Sequence, residues 1–64
     1  MKIGILGVGH IGKTLALKLS AAGHEVNVAN SSGPENISTD VLATGAKAVT
    51  VQQAILDKEV IIIS

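Results

Sequence analysis

Three features of this chain predict an α/β fold built on a doubly wound parallel sheet. Strand-length apolar runs recur at Lys2–Leu6, Glu25–Ala29 and Val60–Ile63, and they alternate with stretches of helical periodicity. Short polar connections separate the two kinds of segment, as expected where crossover helices cover a parallel sheet. A glycine-spaced turn, Gly7-Val8-Gly9-His10-Ile11-Gly12, joins the first strand to the first helix. Together these give βαβαβαβ, with right-handed crossovers and strand order 3-2-1-4.

The first strand is apolar on both faces, as a central strand between two helical layers should be. The first helix is predicted over residues 9–22. Ile11, Leu15, Leu19 and Ala22 fall on one stripe expected to face the sheet, and Gly23 stops it. Leu17 projects almost opposite, either as a singly exposed leucine or as a contact for a partner. The second strand alternates polar and apolar residues, and Asn30-Ser31-Ser32-Gly33-Pro34 reads as a loop.

Pro34 suits the first position of a second helix, with Ser32 or Gly33 as cap and Glu35 in the first turn. That helix is short, with Ile37, Val41 and Leu42 as its apolar face and Gly45 as its stop. Residues 46–49 form a third strand. Thr50 and Gln53 have capping-box spacing, opening a third helix that reaches Leu56. After the polar connector Asp57-Lys58-Glu59, Val60–Ile63 is an uninterrupted β-branched run, the mark of a strand buried on both faces. With nothing beyond Ser64 it would be an exposed apolar edge. Residues 1–64 are therefore expected to be the N-terminal part of a dinucleotide-binding domain, with its remainder and any substrate domain outside this chain.

Composition narrows the function classes. Five lysines balance five acidic residues, there is no arginine, and no aromatic residue occurs. A nucleic-acid or anionic-membrane surface needs clustered positive charge, and stacking on single-stranded bases needs aromatic rings, so neither partner is expected. Without cysteine there is neither a disulfide nor a thiolate metal site. No signal-peptide pattern or membrane-length apolar run is present, which predicts a cytoplasmic location. Asn30-Ser31-Ser32 and Asn36-Ile37-Ser38 match the glycosylation pattern and are read as chance matches. The acidic residues are scattered and form no carboxylate pair, and His24 has no metal-ligand partner at suitable spacing.

The glycine turn is the chemical centre of the sequence. Gly7 allows the tight turn off the strand, Gly9 lets backbone approach a pyrophosphate, and Gly12 lets the helix pack closely on the strand. A diphosphate would lie at the helix N-terminus, held by unpaired N–H groups and the positive end of the dipole. The alternative is a glycine-rich turn with no ligand. At the end of the second strand a carboxylate would select the 2′-hydroxyl of NAD. Here Asn30, Ser31 and Ser32 stand instead, neutral donors that favour NADP. They also suit a serine-rich turn that caps the second helix.

With these residues placed, MKIGILGVGHIGKTLALKLSAAGHEVNVANSSGPE resembles the N-terminal Rossmann domain of the NADP oxidoreductase family that includes the deazaflavin-dependent NADP reductases. The architecture is shared more distantly with pyrroline-5-carboxylate reductase and the β-hydroxyacid dehydrogenases. The resemblance implies that Gly7, Gly9 and Gly12 are the phosphate-loop glycines, and that Val8, His10 and Ile11 line the pyrophosphate. His10 stands where asparagine is frequent, giving either a polar phosphate contact or a solvent-exposed helix start. Family members commonly carry arginine where Ser32 stands. Its absence here leaves NAD as an alternative cofactor to NADP. Ile63 and Ser64 match the end of the fourth strand, near the nicotinamide-side ribose.

The expected function is thus the NADP(H)-binding segment of an oxidoreductase that moves a hydride to or from a nicotinamide cofactor, with no catalytic residue in the segment itself. The segment alone is expected to be inactive. A non-catalytic dinucleotide-binding or redox-sensing module, or a site for another adenine nucleotide, are the alternatives. The small-molecule substrate is not encoded here, and homo-oligomerisation is expected through regions outside this chain.

Overall fold

Ile3, Ile5, Val26 and Val28 are β-branched residues at alternate positions of two extended segments, a pattern that favours strands sharing one buried face. The computed structural model, which describes residues 1–7 and 9–64, shows them as β1 (Lys2–Leu6) and β2 (Glu25–Ala29). The two are parallel, with Lys2 opposite Glu25 and Leu6 opposite Ala29. Two further strands, β3 (Lys47–Ala48) and β4 (Val60–Ile63), complete a four-stranded parallel sheet in the order β3-β2-β1-β4. The predicted architecture and strand order are therefore realised.

The helices are α1 (His10–Ala21), α2 (Thr39–Leu42) and α3 (Val51–Ile55). On one face of the sheet Ile3, Ile5, Val26 and Val28 pack with Ala16, Ile37, Val41 and Ala46, flanked by Leu15 and Leu19. On the other, Ala29, Val49 and Ala54 pack with Leu6. Gly4 lies on this second face, where a Cβ would overlap the Ala54 carbonyl oxygen, so α3 rests directly on the β1 backbone. Among the described residues no helix is long and apolar enough to cross a membrane.

Three expectations need correction. The stripe of α1 that meets the sheet is Gly12, Leu15, Ala16 and Leu19. Ile11 is 71% exposed, and Ala22 is exposed. Small residues take the closest positions because they let the helix approach the strands. The second helix is broken into a 3-10 turn at Pro34–Asn36, capped by Gly33, and the single turn of α2. Between them Ile37 is extended at φ −81°, ψ 129°, which sends its side chain into the core. Finally, β4 is not buried on both faces: Val60, Ile61 and Ile63 are exposed, because α1 and α3 pack over β1 and β2 and not over β4 at the edge of the sheet.

The stops behave as the sequence implies. After α1, Gly23 adopts φ +92°, its N–H donates to Ser20 O and that of His24 to Leu19 O. These two bonds are a Schellman motif. At α3 the capping box is complete: Thr50 N donates to Gln53 Oε1 at 3.1 Å and Gln53 N to Thr50 Oγ1 at 3.2 Å.

Candidate functional site

The candidate site lies where β1, β2 and β4 end together. Parallel strands put all their C-terminal ends on one rim, and in doubly wound sheets that rim is where ligands bind. Leu6 is opposite both Ala29 and Ile63. The chain then turns at Gly7, at φ +92°, a conformation that costs little only without a Cβ. The Gly7 N–H donates to Ala29 O at 2.8 Å, tying the turn to the end of β2. Val8 lies outside the described residues.

Each remaining glycine of the turn meets different surroundings. A Cβ on Gly12 would come within 2.5 Å of Gly7 O and 2.8 Å of Ser64 Oγ, so this glycine is the contact between α1 and the turn. Gly9 is the N-cap of α1, makes no side-chain cap bond, and a Cβ there would meet nothing within 4 Å. Its outer side opens to solvent. Among the described residues no N-cap side chain bonds the first N–H groups of α1, and such donors, with the positive dipole end, attract anions. Ser64 closes the floor: its N–H donates to Leu6 O at 2.9 Å and its hydroxyl to Gly7 O at 2.7 Å. Gly9, His10, Ile11, Gly12 and Ser64 line an open hollow of about 260 Å³.

The structure thus gathers Gly7, Gly9, His10, Ile11, Gly12 and Ser64 at one place. His10 and Ile11 are exposed at the helix start, with the His10 carbonyl accepting from Thr14 Oγ1 at 2.9 Å. Asn30, Ser31 and Ser32 begin one residue beyond the Ala29 carbonyl that holds the turn. They form a tight turn of their own. Gly33 N–H donates to Asn30 O at 3.3 Å, Ser32 N–H to Asn30 Oδ1 at 3.1 Å, and Asn36 Nδ2 to Ser32 O at 2.7 Å. The Asn30 side chain is therefore an Asx-type brace for this loop. The Glu35 carboxylate stands against it, since a Cβ on Gly33 would lie 2.8 Å from Glu35 Oε1.

Sequence reasoning missed a second hollow that adjoins the first. Gly9 and His10 also line a space of about 200 Å³ shared with Lys13, Ser38 and Val41, between α1 and α2. Lys13 follows the last glycine of the motif directly, and that position was the available signal. A larger hollow of about 340 Å³ includes Lys2, Glu25, Asn27 and Lys47 and lies toward the opposite end of the strands, away from the glycine turn.

Comparison with known proteins agrees with this geometry. Residues 2–64 match the model of the family described as NADP oxidoreductase, coenzyme F420-dependent. The chain belongs to this family. It is also similar to the crystal structure of a hypothetical protein from Sinorhizobium meliloti, at 33% identity and a TM-score of 0.80. That similarity covers 98% of this chain and 32% of the other, so the chain spans about a third of that protein's length. A search of curated proteins gives no match. Membership places the glycine turn in a family of NADP oxidoreductases, with a Rossmann-like nucleotide-binding fold.

Proposed function

We propose that this chain is the NADP(H)-binding segment of an oxidoreductase, holding the pyrophosphate of the dinucleotide over residues 7–12. The observation that carries this reading is Gly9: an uncapped helix start whose α-carbon faces open space, beside a turn shaped by Gly7 and Gly12. That cradle fits a diphosphate, because backbone N–H groups and the helix dipole supply attraction without any side chain in the way. The ribose end would fall at Asn30, Ser31 and Ser32, which put neutral polar groups, in place of the carboxylate that selects a 2′-hydroxyl, directly after β2.

When bound, the nicotinamide supplies the hydride chemistry. This chain's residues bind and orient: the backbone at His10 and Ile11 faces the phosphates, and Ser64 fixes the Gly7 carbonyl. No residue in the chain is assigned to catalysis. The parent protein is an NADP-dependent oxidoreductase, with NAD as the competing cofactor.

The test is Gly9→Val. Its backbone, at φ −76° and ψ −164°, suits a β-branched residue, and the added atoms begin in empty space. The variant should keep the wild-type circular dichroism spectrum while losing about a hundredfold or more in NADPH affinity, roughly 3 kcal/mol. Equal affinity of the two proteins for NADPH would refute the cradle.

A further inference from the structure

We infer that Lys13 is the cation that recognises the 2′-phosphate of the dinucleotide, and that Asp40 holds it in reserve when no ligand is bound. The inference rests on the proposed dinucleotide site and names a specificity determinant within it.

The chain has no arginine, so a phosphate on the ribose must find its counter-charge elsewhere. The turn after β2 is poorly suited to supply it. Asn30 Oδ1 is occupied by the Ser32 N–H, and the Glu35 carboxylate stands against Gly33. Lys13 is better placed. It lines the hollow between α1 and α2 together with Gly9 and His10 of the glycine turn, on the side of α1 that faces α2 and hence β2. Ser38 lines the same hollow, and although it is the N-cap of α2 its side chain makes no capping bond. Lys13 and a Ser38 side chain without a capping bond therefore border one space of about 200 Å³ that Gly9 and His10 of the glycine turn also line.

Lys13 has one ionic partner among the described residues, Asp40, with Nζ 3.6 Å from Oδ2 and both side chains substantially exposed. Such an exposed pair is weak, whereas a lysine on a phosphate gains a charge-assisted bond to a more highly charged acceptor. Lysine suits an exchange of this kind because its ammonium acts as a point charge on a flexible stem. Binding of the phosphate would draw Nζ from the rim, where Asp40 sits, toward the hollow.

The experiment is calorimetric titration of the wild type, Lys13→Gln, Lys13→Arg and Asp40→Asn with NADPH and with NADH. Lys13→Gln should weaken NADPH about tenfold or more and change NADH less than about twofold. Lys13→Arg should keep the preference, and Asp40→Asn should strengthen NADPH a fewfold by freeing the ammonium. Equal loss for both dinucleotides in Lys13→Gln would place the lysine on the pyrophosphate and overturn the assignment. An unchanged ratio of the two affinities would overturn it as well. Those failures leave dinucleotide binding intact, whereas a wild type that binds neither ligand would overturn the dinucleotide site and, with it, the role of Lys13.

Discussion

Glycines of one motif do different work at the scale of single residues, and their surroundings separate the effects. Gly9 borders open space, but Gly12 is buried with its missing Cβ aimed at the Gly7 carbonyl. A methyl group there must push the Gly7 backbone oxygen, which cannot turn aside as the Ser64 hydroxyl can. Gly12→Ala should therefore destabilise the protein by about 1–3 kcal/mol, the usual cost of overpacking, seen as a lower urea midpoint at an unchanged slope. A midpoint equal to that of wild type would show that α1 can lift off the turn freely. The spacing of the three glycines was legible in the sequence, although only Gly7, at positive φ, and Gly12, against the Gly7 carbonyl, are required by the backbone around them. Lys13 was not legible, because its relation to Ser38 and Asp40 exists only once α1 and α2 lie side by side.

Among the elements, legibility followed the strength of local signals. The strands β1, β2 and β4 and the start of α3 coincide with their apolar runs or caps. The α1 stripe was misjudged for a definite reason. Counting large apolar residues selects Ile11, whereas close packing on a sheet selects Gly12 and Ala16, which carry little hydrophobic signal. Likewise α2 looked continuous because nothing local marks Ile37 as extended; the pull of the core on that side chain decides it. Helix α3 has only five residues, far too few to persist through propensity, so its reciprocal cap and its packing through Ala54 must hold it. Thr50→Ala removes one capping acceptor and leaves the Gln53 N–H without it. The expected loss is about 1 kcal/mol of stability, read as a shift of the thermal midpoint. The spectrum below the transition should stay native-like. A shift within error would mean that tertiary packing alone fixes α3.

For the whole molecule, the decisive fact is how little large side chain the core contains: Ile5 and Val28 are its largest fully buried members. The apolar run at β4 forms a strand at an exposed edge, as the sequence implies, but not one buried on both faces, since the helices that cover the sheet are placed by tertiary packing that a local run does not report. With so small a core, ligand binding at the rim that joins β1, β2 and β4 should weigh heavily in the folding equilibrium. A ligand that binds only the native state at a hundred times its dissociation constant adds about 2.7 kcal/mol. For a domain of this size that corresponds to a rise in thermal midpoint of roughly 10–20 °C. Saturating NADPH should produce that rise in the wild type. Gly9→Val, folded but unable to accept the diphosphate, should melt at the same temperature with and without it. The comparison isolates the cradle from nonspecific effects of a polyanion, because both proteins carry the same charges. An equal rise in the two would locate the stabilising interaction elsewhere on the surface and remove residues 7–12 from the binding site.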